Sequence, residues 1–149
     1  FAGGVDAALL MQEQAKAAGI EINVVREPND SYWDNVWLKK DWCLCYWGGR
    51  PVADMFMSIS LAADAAWNDT NWKNPRFNEL LIAARSETDE AKRAGMYAEM
   101  QQLLHDDGGL VNLVFNSYVD AHTKALAHGE VASNWKMDGW KIAERWWFA

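Results

Sequence analysis

Cysteine is nearly absent: the 149 residues contain two, Cys43 and Cys45. Two cysteines cannot build the disulfide framework that staples small secreted domains. On a strand rising ~3.3 Å per residue their Cα atoms lie roughly 6.6 Å apart, at the upper edge of disulfide geometry, so a pair of buried thiols is expected. Histidine is scarce too. His105, His122 and His128 fall on a helix end, a strand and a loop, without the i, i+4 pairing of a metalloprotease helix, and the two cysteines complete no tetrahedral set; no metal or cofactor is expected. Positive charge is in deficit, 14 Lys+Arg against 21 Asp+Glu for a net charge of −7. That is the wrong sign for a surface that tracks phosphates, which sets aside nucleic acid and anionic membranes as partners. Long apolar runs are missing, none approaching the ~20 residues of a spanning helix. No basic segment followed by an apolar run and a cleavage site is present.

What is abundant is tryptophan. Ten occur, at Trp33, Trp37, Trp42, Trp47, Trp67, Trp72, Trp135, Trp140, Trp146 and Trp147. A domain of this size buries roughly 68–70% of its unfolded surface, and each buried indole N–H wants an acceptor. One small core does not hide ten indoles comfortably, so some should line a groove or meet a surface outside this chain.

The hydrophobic pattern predicts a helix over residues 4–18 closed by Gly19, then a period-two strand over Ile20 to Val24. Asp30 or Ser31 is expected to cap a short helix through Trp37, and Asp41 to Trp47 reads as a second strand ended by Gly48-Gly49-Arg50-Pro51. Pro51 suits the first turn of a short helix through about Ser60, and residues 62–74 read as a polar loop. Two helices follow. Pro75 opens one, with Phe77, Leu80, Leu81 and Ala84 on its apolar face; Thr88 is expected to cap the next, with Met96, Tyr97, Met100, Leu103 and Leu104 as its stripe and Gly108-Gly109 as its stop. Leu110 to Val119 reads as a further strand, and Asp138 to Ala149 as an amphipathic tail. With no repeat and no linker, residues 1–149 are expected to form a single domain of α/β type, a mixed sheet with flanking helices. The opening at Phe1, running through Ala2-Gly3-Gly4-Val5 into a helical pattern without a cap, suggests a piece of a longer polypeptide.

Catalytic patterns are weak. Asp106-Asp107 is best explained as a solvated turn, and nothing marks Asp54, Asp64 or Asp69 as the acid of a glycosidase pair. Asn29-Asp30-Ser31 and Asn68-Asp69-Thr70 match the glycosylation acceptor pattern, which is frequent by chance. The informative stretch is Trp42-Cys43-Leu44-Cys45-Tyr46-Trp47-Gly48-Gly49-Arg50-Pro51. Its glycines let backbone approach a ligand, its aromatics give rigid contact area, and Arg50 can grip a carboxylate in bidentate fashion. The same residues would equally serve as core aromatics, a tight turn and a structural ion-pair partner.

In this stretch and four others the chain resembles the extracytoplasmic solute-binding proteins of peptide-type ABC importers, the dipeptide- and oligopeptide-binding family. The segments are Ile22-Asn23-Val24-Val25-Arg26-Glu27-Pro28 with Tyr32-Trp33, Tyr46-Trp47-Gly48-Gly49-Arg50-Pro51, Ala66-Trp67-Asn68-Asp69-Thr70, Asn74-Pro75-Arg76-Phe77-Asn78-Glu79-Leu80-Leu81, and Glu144-Arg145-Trp146-Trp147-Phe148-Ala149. The resemblance implies the carboxy-terminal lobe of a two-lobed periplasmic-binding-protein-like fold, periplasmic, with a signal peptide upstream and the first lobe elsewhere in the polypeptide. It implies binding without catalysis. A peptide, opine-like or other polar solute would sit in an interlobe cleft and pass to the transmembrane subunits of the permease. The implied ligand-binding residues are Tyr46, Trp47, Gly48, Gly49, Arg50, Asp54, Trp67 and Asp69. In peptide-binding members an Asp shortly after the Trp holds the ligand's amino terminus; Gly49 and Arg50 occupy that place here. Arg50 is thus expected to recognise an acidic or hydroxyl-bearing group, with Asp54 or Asp69 as a substitute amine partner. The isolated chain is expected to self-associate through the face meant for the absent lobe. The alternative class is a Trp-rich carbohydrate-binding or carbohydrate-processing domain; a third is a structural interaction module.

Overall fold

The computed structural model describes residues 3–149; Phe1 and Ala2, where the sequence opens, lie outside them. Among the described residues the fold is mixed, with seven helices, 47% helical content and one two-stranded antiparallel sheet. The chain divides into two compact units, one ending at Trp47 and one running from Gly48 to Ala149.

In the first unit α1 spans Gly4–Ala15 and tightens into a 3-10 turn over Lys16–Ala18. Gly19 ends it in the left-handed region at φ 73°, the conformation that a residue without Cβ adopts freely. The Gln12 side chain donates to the Ile22 carbonyl at 2.6 Å, tying the following segment back to the helix. A 3-10 turn, Asn29–Ser31, leads into the one-turn α2, Tyr32–Asn35. Neither Asp30 nor Ser31 makes the side-chain cap expected of them: Pro28 and Ser31 stand at the two N-cap positions, without a side-chain cap hydrogen bond.

The second unit holds the main core. Helix α3 covers Ala53–Ser60, α4 Pro75–Ser86 and α5 Glu90–Asp107. The expected stripe of α4 is buried in full, with Phe77, Leu80, Leu81 and Ala84 packed against Met57 and Leu61 of the α3 end, Trp72, and Met100 of α5. Met96, Tyr97, Leu103 and Leu104 cover this cluster half-buried. Asn74 caps α4 by accepting from the Phe77 amide at 3.0 Å, with Pro75 in the first turn. Asp89 rather than Thr88 caps α5, accepting from the Ala91 and Lys92 amides at 2.9 and 3.1 Å. One carboxylate supplies both a cap and the negative charge that suits a helix start.

The sheet expectation needs correction. The segments 20–24, 41–47 and 110–119 are extended or irregular, and no ladder pairs them among the described residues. Period-two patterning gives a segment its faces, whereas a strand exists only where a second edge takes up its N–H and C=O groups. The ladder present lies elsewhere: β1, Leu126–His128, pairs antiparallel with β2, Trp146–Phe148, matching His128 to Trp146. Between them come α6, Lys136–Trp140, and α7, Ile142–Arg145. The centre of α6 is a left-handed turn, with Met137, Asp138 and Gly139 at φ 54°, 53° and 70°. Left-handed backbone costs a residue with a Cβ roughly 1–2 kcal/mol, so it persists only where its surroundings hold it.

Candidate functional site

The aromatic end of the first unit is built from two short segments. Trp33 and Trp37, one helical turn apart, meet edge-to-face at 5.7 Å. Trp33 also meets Tyr46 at 5.4 Å, and Trp37 meets Trp47 at 6.2 Å. Edge-to-face packing sets the positive rim of one ring against the negative face of the next. The Tyr32 hydroxyl donates to the Leu44 carbonyl at 2.8 Å, and Val36, in the same segment as Trp37, is buried. Tyr46 and Trp47 thus belong to one aromatic ladder with Trp33 and Trp37. Cys43 and Cys45 are thiols, half-buried rather than buried as expected. Burial first, then the neighbouring Cys43 and Cys45, push the Tyr32 phenol up to about 12.

In the second unit the turn Gly48-Gly49-Arg50 lies against Tyr118, Asn134 and Trp135. A Cβ on Gly49 would collide with the Asn134 carbonyl oxygen, so only glycine fits this approach. The Gly49 amide faces the Tyr118 hydroxyl at 3.4 Å. Arg50 Nη1 donates to the Gly48 and Gly49 carbonyls at 2.9 and 3.0 Å, and its guanidinium carbon stands 5.7 Å from the Trp135 ring centroid. Two bonds from one nitrogen fix the plane of the fork, and Nη2 and Nε are not used in them. That leaves a planar, oriented cation backed by an indole, suited to a carboxylate or phosphate. Tyr118, Asn134 and Trp135 had no signal in sequence, since they reach the turn through the fold.

The remaining expected site residues have other surroundings. Asp54, in the first turn of α3, pairs with Arg85 Nε of α4 at 2.8 Å, and Arg85 also reaches the Ser58 hydroxyl at 2.5 Å. Trp67 is half exposed and Asp69 half-buried in the loop before α4. That loop is organised by Asn68, whose amide nitrogen donates to the Ala62 and Trp72 carbonyls at 3.1 and 2.8 Å. Its amide oxygen accepts from the Thr70 amide and hydroxyl at 3.2 and 2.8 Å. The glycosylation-like triplet is therefore an internal loop brace. Asp107 accepts from the Trp72 indole at 3.1 Å, so one member of the pair read as a solvated turn anchors a core indole. His105, then Gln102, hold the Asp106 carboxyl below the usual carboxylate range.

Asp138 is the buried acid, 2% exposed. It accepts from the Ala132 amide at 2.6 Å and the Trp146 indole at 2.9 Å, and Arg145 approaches to 3.1 Å. The Ala132 hydrogen bond first, then the Trp146 bond and the Arg145 charge, hold its carboxyl below the ordinary range. These bonds tie the left-handed turn to β2. Sequence offered no sign of them, because a non-glycine residue in that conformation is announced by nothing local.

Two open hollows of about 420 and 300 Å³ are lined by Gln12, Lys16 and Gly19–Ile22, and by Ala63–Ala65, Asn68, Asn71 and Lys73. None of the eight expected site residues lines either. Among the described residues no helix is long and apolar enough to cross a membrane. Comparisons with protein-family models, with curated proteins and with solved structures gave no match.

Proposed function

We propose that this chain supplies one lobe of an extracytoplasmic solute-binding protein that captures a peptide, peptide-like or other polar solute in an interlobe cleft and delivers it to an ABC permease. The Gly48-Gly49-Arg50 turn carries this reading. It offers an oriented guanidinium and an adjacent indole, which is recognition equipment without a nucleophile or an acid–base pair. Capture would work by differential contact: the solute favours the closed arrangement because a second lobe adds contacts only there. The extended segment 110–119, which no ladder pairs among the described residues, and exposed apolar side chains such as Phe115 and Val119 accord with a lobe whose sheet another part of the polypeptide completes. An aromatic ladder ending at Trp47 accords with a ligand-facing segment.

The test uses the full-length protein, with its endogenous solute identified by native mass spectrometry and its affinity measured by calorimetry. Arg50→Ala is expected to weaken binding about 10- to 100-fold, the worth of hydrogen bonds to a charged group. The 149-residue chain alone is expected to show no micromolar binding. Unchanged affinity in the variant removes Arg50 from the site, and micromolar affinity of the chain alone removes the two-lobed mechanism.

A second reading, a Trp-rich carbohydrate-binding domain, draws on the indoles of Trp42, Trp67, Trp140 and Trp147, exposed at 60%, 49%, 54% and 53%. It differs in expecting sugar affinity from this chain by itself.

A further inference from the structure

His122 and His128, six residues apart and without a metal pattern in sequence, are brought together beside the β1·β2 ladder. Their ring centroids are 5.1 Å apart with planes at 77°. His128 stacks on its cross-strand partner Trp146 at 4.5 Å and 29°, and His122 lies 5.0 Å from the same indole. The Nδ1 atoms contact backbone carbonyl oxygens, Gly129 at 2.7 Å for His128 and Thr123 at 3.0 Å for His122. A carbonyl oxygen only accepts, so each Nδ1 donates, and a ring in its neutral form then carries its lone pair on Nε2. A carbonyl on Nδ1 is the outer-sphere partner that fixes a metal-binding tautomer. Two imidazoles bound through Nε2 at ~2.0–2.1 Å, at a near-tetrahedral angle, hold their centroids roughly 5 Å apart. The observed spacing agrees.

We propose that His122 and His128 form a two-imidazole site for a divalent transition-metal ion of the Zn²⁺, Ni²⁺ or Cu²⁺ class, the type that imidazole nitrogen suits. The described residues contain no cluster of three or more His, Cys, Asp or Glu side chains placed for a metal. Water therefore fills the other positions, and the site is an exchangeable one, weaker than a closed structural zinc centre. The site is independent of the Arg50 turn and of the transport reading.

The experiment titrates Zn²⁺ alone into untagged, metal-stripped protein by calorimetry. One ion per chain is expected. His122→Ala and His128→Ala should each weaken binding at least about tenfold, the scale on which ligand surroundings act. His105→Ala should leave it unchanged. His122 is exposed, so its variant keeps the fold intact as judged by circular dichroism. Cu²⁺ should quench a component of tryptophan emission that is lost in Trp146→Phe, which places the ion beside that indole. No heat up to millimolar Zn²⁺, equal affinity in the His122 and His105 variants, or quenching that survives in Trp146→Phe would each overturn the proposal.

Discussion

Tyr32 couples the two segments of the aromatic ladder, and its chemistry can be read directly. Its phenol donates to the Leu44 carbonyl beside Cys43 and Cys45, and burial followed by those thiols pushes it up to about 12 from 10.0. Because the folded value lies above the unfolded one, the fold favours the protonated phenol. Its contribution is intact below about pH 10 and is lost as pH rises from 10 toward 12. An absorbance titration should show a phenol ionising with a midpoint near 12, and Tyr32→Phe should delete that step. Replacing Cys43 and Cys45 with Ala should lower the midpoint, since two thiolates then no longer oppose the phenolate. A step that persists in Tyr32→Phe belongs to another residue. At this scale the sequence was partly legible. Gly49 was marked as a point of close backbone approach, and Asn134 is what it approaches. Asp138 was not marked, because three of its partners come from segments that only folding assembles.

Helices α4 and α5 show what sequence conveys well at the element scale. The i, i+3, i+4, i+7 apolar set of α4 is a local property, and all four members are buried against α3, Trp72 and α5. Phe77, fully buried, also meets Trp72 edge-to-face at 5.1 Å. Phe77→Ala should therefore destabilise the protein by roughly 3–5 kcal/mol, as large aromatic deletions in packed cores do. Exposed Ile82→Ala on the same helix should cost under about 0.5 kcal/mol. Urea midpoints of the two variants check this, and similar midpoints would mean that α4 is not the centre of the core. Cap placement was legible to within one residue, Thr88 against Asp89, since Asp and Thr both accept from helix-start amides and only the turn decides which does. The strands were not legible. Alternation over 20–24, 41–47 and 110–119 describes faces, whereas a ladder depends on a distant edge that alternation does not encode. The pair that forms, Leu126–His128 with Trp146–Phe148, is three residues long on each side, too short for any period to register.

For the whole molecule the decisive feature is the stretch from Leu110 to Asp120. Val111, Leu113, Phe115 and Val119 share one face by period two, and Phe115 and Val119 are 91% and 89% exposed. No ladder uses its backbone among the described residues. Leu110 to Phe115 carries neither charge nor proline, so nothing in it discourages edge-to-edge pairing. A net charge of −7 opposes association, but repulsion between exposed charges is screened beyond ~8 Å at physiological salt, whereas strand pairing acts at contact. Pairing should therefore win as concentration and salt rise. Sedimentation velocity on the isolated chain should show mass increasing with concentration, more steeply at higher salt. The double variant Phe115→Lys, Val119→Lys should hold the chain monomeric with its circular dichroism unchanged, because neither side chain contributes to the buried cluster. A chain that stays monomeric at high concentration and high salt would mean that the exposed edge is not a docking edge, and would remove the main whole-molecule support for a lobe completed by a second part of the polypeptide.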